Sequence, residues 1–600
     1  MAASIILGLG LVGSLHGGEP DQTVAELMVR AGNVDGDGDR LVLLRELREL
    51  PNLDRSVQAD ADQLIAEIEK WLYAEQLPYF FSEVAETLDY DFGLEEDSPL
   101  YPLTCLYRGR MLVWSALESG TIWMRDNGEY GGGWGDDCEM WRWWVPVLIG
   151  FDNPGITSAQ ARFSEALMGL PHMEGGYTRH LYDVEHTAED SSDAITPMMH
   201  LDPDNPVWRD RALRLAELMD SLWTGINERG FLQFKSTYVC VDRVEPNPQR
   251  ACDTVYHPRA VQPALLYWQR TGDERLGQLF AAWMDTWVDA ALRAERGKPS
   301  GIIPSAIHWP DGQVGGLGEN WWDPRNHGEA TLYQWPSALP IMASTLLLTH
   351  HMTRDRKYLE PIRSMAKIRL DYLRDLPDET SVPGTELWCA QHLGLLTGVV
   401  AKYRVLTGLE EFDELLGEER DPYMALRMRG DRDMLTLALR DIARALRFNF
   451  AGYTTEVRFT DRVLRFPALF QKDGMFPEGI ETFCIPDTTL LYSSVTGDPG
   501  DLGYFPMNAV RWLTPSRQIA VLVADSTPAS FHAELFHFGE NPRPMSAEFY
   551  LLAPGEYRFQ ITGETGPLNG SLQELRVTSS RTRVQFELAP RTLCRLQIDR

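Results

Sequence analysis

Two short segments of the chain place histidine, tyrosine and arginine together, each directly before a predicted helix. The first runs from Asp253 to Arg259 and reads DTVYHPR. Proline is favoured in the first turn of a helix, so Pro258 predicts that Tyr256 and His257 lie on the loop just outside it. Tyrosine and histidine can accept or donate a proton, and Arg259 adds a fixed positive charge. This combination of residue types is suited to general acid–base chemistry.

The second segment, residues 319–333, reads ENWWDPRNHGEATLY and also precedes a long predicted helix. Its proline, its glycine and the adjacent Trp321 and Trp322 indicate a structured loop. A lone histidine is more often structural than catalytic, but two histidine-containing loops ahead of helices favour a functional interpretation. The residues of this segment that could carry charge or protons are Arg325, Asn326, His327 and Tyr333.

A third segment, residues 129–144, reads EYGGGWGDDCEMWRWW. Glycine allows the backbone to approach a ligand closely, and the indole plate of tryptophan is suited to stacking on sugar rings. A capped helix start would explain one of the two aspartates but not the whole group. We therefore favour a substrate-lined loop. The candidate binding residues are Trp134, Asp136, Asp137 and Glu139, together with Trp321 and Trp322.

A fourth stretch, from Glu174 to Asp190, is acidic and polar and contains Asp183, Glu185 and His186. Two interpretations of it are equally supported. Either it closes over a cleft or binds a cation, or it is a solvated loop.

Charge and motifs exclude several classes of function. The chain has 600 residues, 18 tryptophans and a net charge of −31, and it contains no basic run. This charge repels nucleic acid, and any anionic polysaccharide would need a local island of arginine, histidine and amide groups. No phosphate-binding loop, nucleophile elbow or HExxH motif occurs in a supporting context, which argues against nucleotide enzymes, serine hydrolases and zinc peptidases.

The N-terminal segment, residues 1–20, resembles a signal-peptide core without its basic region and predicts a secreted or periplasmic protein. No segment is long and apolar enough to predict a membrane span.

The seven scattered cysteines argue against a zinc site. Cys240 and Cys252 could pair if the chain is exported; the alternative is that they are buried free thiols. The sequence does not indicate an oligomeric state.

Residues 21–56 are expected to form an acidic linker or a degenerate EF-hand-like loop. Asp35, Asp37 and Asp39 alternate with other residues as in a calcium-binding loop, but the twelfth position counted from Asn33 is Leu44 and not an acid. A structural Ca²⁺ at these three aspartates is the one specific metal ion that the sequence suggests. No cofactor is expected to be required.

Residues 57–450 show apolar residues at the three-to-four spacing of helices. A short turn recurs between them, in which a threonine is followed by glycine or arginine and then by an acid, as at Gly272, Arg354 and Gly408. Repeated helix pairs of this kind predict an (α/α) toroid. The predicted helices are Ala61–Leu77, Arg110–Met124, Trp208–Trp223, Arg259–Gln269, Leu276–Arg293, Ser337–His350, Tyr358–Leu373, Leu387–Leu406 and Met434–Leu446.

Residues 451–600 change to the two-residue alternation of strands, with short segments separated by glycine, proline and asparagine. The fold class is therefore mainly α with a C-terminal all-β part, and the pattern predicts an antiparallel β-sandwich. The predicted strands include Ile519–Ala524, Ser530–Phe538, Ser546–Leu552, Gly555–Thr562, Thr582–Leu588 and Leu593–Ile598.

A helical toroid, tryptophan-rich rim loops and a trailing β-sandwich together resemble the toroid-fold polysaccharide lyases of the alginate and glucuronan lyase type. The resemblance implies an enzyme that degrades a uronate-containing, anionic polysaccharide by β-elimination. It implies a neutralising role for Arg325, Asn326 and Arg259, which would meet the uronate carboxylate. It implies acid or base roles for His257, His327, Tyr256 and Tyr333, with His257 as the first choice.

Two other functions stay open. The (α/α)-barrel glycoside hydrolases are similar in the toroid, and an inverting hydrolase needs two carboxyl groups. The acids that could supply them are Asp136, Asp137, Glu139, Asp253, Glu319 and Glu329. A non-catalytic glycan-binding protein would use the tryptophans alone. The histidines and tyrosines at the helix starts favour the lyase.

Overall fold

The computed structural model describes residues 98–113, 150–151, 154–325, 333–375, 381–453, 488–500, 507–516, 518–563, 566–567, 572–578 and 581–600, with residues 44, 58–59 and 61–62. About 47% of the described residues are helical and about 21% lie in strands. The strands concentrate towards the C-terminus. A mainly helical chain with a C-terminal sheet region is therefore confirmed.

Residues 101–113 are helical and are followed by fifteen further helices in the described part of the chain. We number these α1 Pro154–Met168, α2 Val184–Glu189, α3 Ser192–Ile195, α4 Met198–Leu201, α5 Pro206–Leu218, α6 His257–Thr271, α7 Glu274–Leu292, α8 Leu339–Thr353, α9 Glu360–Arg374, α10 Glu386–His392, α11 Thr397–Thr407, α12 Asp413–Glu418, α13 Pro422–Arg429, α14 Arg432–Tyr453 and α15 Thr488–Thr496.

The predicted stop-and-start turns lie where the sequence placed them. Helix α6 ends at Gly272, whose φ of 68° is left-handed, and Asp273 then caps α7 by accepting from the backbone N–H of Leu276. Gly408 ends α11 in the same conformation, and so does Arg354 at the end of α8. Left-handed residues satisfy the last carbonyl groups of a helix, so these positions separate successive helices.

Three helices lie deepest in the helical part. Residues 257–266 of α6 are buried without interruption, and so are residues 341–349 of α8. Helix α6 contacts α8, and α8 contacts α11. Helices α7 and α9 each have one buried face and one exposed face, so they lie outside the buried set.

Short antiparallel strand pairs connect the helices at their ends. They are β1 Met173–Glu174 with β2 Tyr177–Thr178, β3 Tyr182–Asp183 with β6 Tyr238–Val239, β4 Thr224–Ile226 with β5 Leu232–Phe234, and β7 Cys252–Thr254 with β8 Ala306–His308. The sequence analysis did not predict these pairs, because two- and three-residue strands are too short to show an alternating pattern.

Two antiparallel sheets form the C-terminal region. The strands are β9 Val510–Trp512, β10 Ile519–Ser526, β11 Ser530–His537, β12 Arg543–Phe549, β13 Gly555–Gly563, β14 Gly566–Pro567, β15 Gln573–Val577, β16 Thr582–Leu588 and β17 Leu593–Asp599. The larger sheet has the order β10-β11-β17-β13-β14, with β15 also paired to β13, and the smaller has the order β16-β12-β9.

Two further expectations have outcomes in the structure. Cys240 and Cys252 are both buried free thiols, so the disulfide considered from the sequence is not formed. Helix α15 lies within the segment that the sequence assigned wholly to strands. Among the described helices, none is both long enough and apolar enough to cross a membrane.

Candidate active site

Two of the segments that the sequence analysis singled out are in contact. Tyr256 lies at the start of α6, and its ring centroid is 5.0 Å from that of Tyr333. The hydroxyl of Tyr256 is 3.0 Å from Oγ of Ser337, just before α8. The first and second segments of the sequence analysis therefore come together between α6 and α8.

Several candidate residues lie outside the part of the chain that the structure describes. These are Trp134, Asp136, Asp137 and Glu139 of the glycine-rich segment, Asn326 and His327 of the second segment, and Asp35, Asp37 and Asp39 of the proposed calcium loop.

A buried carboxylate, Asp183, organises the site around Tyr333. It ends β3 and caps α2, where its Oδ1 accepts from the backbone N–H of Glu185 at 3.2 Å. The same oxygen accepts from the Tyr333 hydroxyl at 3.0 Å, while Oδ2 lies 2.8 Å from Nδ1 of His186. One carboxylate thus fixes both a tyrosine and a histidine. The imidazole remains accessible, because the His186 side chain is 40% exposed.

The pKa of Tyr333 is raised well above its usual value, first because the residue is buried and then because the Asp183 and Glu185 carboxylates lie nearby. Its hydroxyl therefore stays protonated at neutral pH and donates to Asp183. This geometry gives Tyr333 a positioning role.

Arg259 lies buried at the centre of a carboxylate group. Its guanidinium is 2.8 Å from Glu185 Oε1, 2.5 Å from Asp193 Oδ2 and 3.5 Å from Glu189 Oε1. A buried arginine surrounded in this way acts as the internal counter-ion of those acids. The sequence analysis expected Arg259 to neutralise the carboxylate of a uronate substrate. In the structure its guanidinium faces carboxylates of the protein itself instead.

His257, the first choice for the base, is fully buried. Its Nδ1 lies 2.8 Å from the Thr254 backbone nitrogen and 3.1 Å from Oδ1 of Asp253, and Nε2 lies 3.0 Å from the Ser236 carbonyl oxygen. Its ring also packs on Phe234 at 4.1 Å between centroids. These contacts tie α6 to the strands before it, so His257 has the position of a structural residue.

An aromatic surface borders the exposed imidazole. Tyr182 is 48% exposed, and its ring lies 5.1 Å from His186 in an edge-on arrangement and 5.6 Å from Tyr238. The pairing of β3 with β6 brings Tyr182 and Tyr238 together. The guanidinium of Arg250 lies 4.5 Å above the Tyr238 ring. The exposed ring of Tyr182 and the half-buried ring of Tyr238, beside a cation, form a surface suited to a sugar chain.

Trp321 and Trp322, both predicted to bind substrate, differ in their surroundings. Trp321 is buried, and its indole N–H donates to the Gly384 carbonyl oxygen at 3.1 Å. Trp322 is half-buried and lies 5.8 Å from the ring of Trp388, which also contacts the exposed His392 at 4.9 Å. Only Trp322 of the predicted pair therefore has a face accessible to a ligand.

Phenylalanine substitutions test this difference. Trp321→Phe removes the donor to a buried carbonyl group and is expected to lower the free energy of unfolding by about 1–3 kcal/mol. Trp322→Phe keeps a half-buried ring and is expected to lower it by less than about 1 kcal/mol. Urea unfolding followed by far-ultraviolet circular dichroism measures both; equal losses would contradict the assignment of Trp321 to the core.

Arg325 lies on the loop after the tryptophans, with a left-handed backbone at φ 47°. Its side chain is exposed, and Nε is 3.1 Å from Oδ2 of Asp323. Asp323 is buried, so only the guanidinium end of this pair faces solvent and is accessible to a ligand carboxylate.

Among the described residues, Asp183, Glu185 and His186 are the group whose ligand atoms are close enough for one metal ion, all within 4.8 Å of one another. Hydrogen bonding alone also explains this closeness, because His186 Nδ1 is 2.8 Å from Asp183 and 3.3 Å from Glu185. The donor set of two carboxylates and one imidazole fits a divalent cation equally well.

The sequence analysis named Asp183, Glu185 and His186 within an acidic stretch that either closes over a cleft or binds a cation, or is a solvated loop. It gave no catalytic role to Asp183 and His186. Their spacing of three residues on one short helix was visible, but the same spacing is common on solvated helices. Comparison with known proteins does not add to this geometry: no protein-family model matches the sequence, and no curated protein matches it significantly. The site is therefore interpreted from its own residues.

Proposed function

We propose that this protein is a polysaccharide lyase that cleaves a uronate-containing polysaccharide by β-elimination, with His186 as the base. The observation that supports the proposal is the accessible imidazole of His186, held by the buried Asp183 and bordered by the Tyr182 ring. A carboxylate that orients an imidazole is a recurrent arrangement in general base catalysis. The base role moves from the buried His257 to His186.

The reaction assigns a task to each side of the site. His186 takes the C5 proton of the uronate, the bond from C4 to the glycosidic oxygen breaks, and a C4–C5 double bond forms. The imidazolium then returns its proton to the leaving oxygen, so atoms and charge balance and no cofactor is required. The negative charge that develops on the uronate carboxylate is met by Arg250 above Tyr238 and by the exposed Arg325.

The finer architecture belongs to the same proposal. The buried helices α6, α8 and α11 would form the inner ring of an (α/α) toroid, with α7 and α9 outside it. The two C-terminal sheets would pack as a β-sandwich. The active site would then lie at the end of the ring where α6 begins, and the protein would be exported to reach a polymeric substrate.

An inverting glycoside hydrolase is the second candidate, because several carboxylate side chains surround Arg259. Glu185, Glu189 and Asp193 surround this one guanidinium. Hydrolysis with inversion uses two carboxyl groups, one as acid and one as base. The same local negative charge also weakens binding of an anionic chain, which favours a neutral polysaccharide in this case.

A panel of anionic and neutral polysaccharides separates these candidates. We expect new ultraviolet absorbance with a uronate polymer, because elimination leaves a double bond conjugated to the carboxylate. New reducing ends without that absorbance would overturn the lyase and support the hydrolase. Binding without any new reducing ends would leave only a glycan-binding protein. The variant Tyr182→Ala should weaken activity on the polymer, whereas Tyr372→Ala, on α9, serves as the matched tyrosine control.

A further inference from the structure

The small C-terminal sheet presents a row of charged side chains across its three strands. In the strand register, Glu548 of β12 faces Arg583 of β16 on one side and Arg511 of β9 on the other. Arg581 and Arg583 both bind the Glu548 carboxylate, at 3.2 and 2.8 Å. Although burial opposes ionisation, these arginines lower the pKa of Glu548 to about 2. Glu548 is therefore an anion throughout the neutral range.

This row meets the end of α4 in the helical part. Arg511 donates to the carbonyl oxygen of His200 at 3.2 Å, and Arg581 donates to Asp204 at 3.0 Å. The junction between the helices and the small sheet is thus polar and rich in arginine.

Two nitrogen atoms at this junction have no partner among the described residues. Nη1 of Arg270, at the end of α6, is shielded from solvent and has no hydrogen bond; the guanidinium lies 5.9 Å from the Tyr550 ring. Nδ1 of His200 is likewise shielded and unpaired, in a residue that is 4% exposed. Buried polar groups are nearly always satisfied, so the Arg270 N–H requires an acceptor, and so does the His200 ring in the tautomer that carries its proton on Nδ1.

The local charge at the junction is positive, and a bound anion would balance it. Among the described residues, the guanidinium groups of Arg270, Arg511, Arg581 and Arg583 lie around the two carboxylates of Asp204 and Glu548. Burial, followed by Arg270, Arg511 and Lys402, lowers the pKa of His200 well below its usual value. A positive excess at a buried junction is unfavourable unless an anion compensates it. It is more unusual still in a chain with a net charge of −31.

We infer that the junction between α4, α6 and the small sheet binds an oxyanion, with Arg270 and His200 as its ligands. The chemical class is a carboxylate, sulfate or phosphate group, since each offers several acceptor oxygens to a guanidinium. The inference does not depend on the proposed function, because the site stands at the opposite end of α6 from Tyr256 and His257.

Isothermal titration with inorganic phosphate, inorganic sulfate and free glucuronate tests the inference and separates the three sources. We expect at least one of these anions to bind, and Arg270→Gln to weaken its dissociation constant at least tenfold. Arg275→Gln removes an exposed arginine on the neighbouring helix α7 and should leave the constant unchanged. Chloride at equal ionic strength controls for general salt effects.

Thermal unfolding gives an independent readout. Without the anion, Arg270→Gln should unfold at the same temperature as the wild type or higher, because an uncompensated cation is removed. Adding the anion should stabilise the wild type and not this variant. If Arg270→Gln fails to fold, His200→Gln replaces it with the same expectation for binding. The inference is overturned if none of the three anions binds, or if binding survives both substitutions.

Discussion

The variant Arg259→Met is expected to lose about 3–5 kcal/mol of unfolding free energy, because breaking a buried ion pair leaves uncompensated charge. Methionine keeps much of the volume of the side chain but removes the cation that faces Glu185, Glu189 and Asp193. Asp193 and Arg259 are both almost fully buried, so water cannot replace the lost interaction. Urea unfolding followed by tryptophan fluorescence measures the loss.

A matched control separates burial from charge. Arg374→Met breaks an exposed pair with Glu414 and is expected to cost less than about 1 kcal/mol. A deficit that matches that of Arg374→Met would contradict this account of the cluster.

The sequence predicted the elements that local chemistry determines. The turn at Gly272 and Asp273 combines a left-handed glycine with a side-chain cap, and both signals act within a few residues of the helix ends they define. Strands β10 and β16 have bounds within two residues of the prediction. β16 alternates between buried and exposed residues, and β10 begins with a short, fully buried apolar run, so each carries a strand signal in its own residues.

The site depended on contacts that local patterns do not encode. Asp183 meets Tyr333 across 150 residues of chain, and this contact requires β3, α2 and the loop before α8 to be placed together. For His257 the local signal predicted a helix start, and α6 begins at His257 itself, which the sequence analysis had placed on the loop just outside the helix. Its burial under Phe234 and its bond to Ser236 are decided by β5 and the residues after it. Residue type indicated the chemistry, and packing determined which histidine is accessible.

The absence of a local sequence signal also explains why the sequence analysis missed α15 and did not distinguish Trp321 from Trp322. Helix α15 is short and mostly buried, so it shows no amphipathic period that would distinguish it from a strand. Trp321 and Trp322 are adjacent, and only the position of Gly384 and Trp388 decides that one indole is enclosed and the other half-buried.

The pair of Asp183 and His186 supplies the second large expected effect, on turnover of the uronate polymer. His186→Gln removes the proposed base and is expected to lower kcat by about 10²–10⁴-fold. Asp183→Asn keeps the shape of the side chain and a cap for α2 but removes the carboxylate that holds Nδ1, so a loss of similar size is expected. The measurement is the rate of ultraviolet absorbance under saturating substrate.

When two residues act as one unit, removing either of them already removes the contribution of the pair to catalysis. The double variant Asp183→Asn/His186→Gln should therefore be scarcely slower than either single variant. A merely structural Asp183 would instead give losses that multiply, because unfolding and removal of the base are independent.

Glu185→Gln, on the same short helix as His186, is the matched control, since it keeps both the imidazole and the Asp183 carboxylate. Full activity in His186→Gln would end the assignment of this histidine as the base, whatever polysaccharide is cleaved. If Glu185→Gln alone abolished cleavage, the carboxylate chemistry of an inverting hydrolase would be the better explanation of the site.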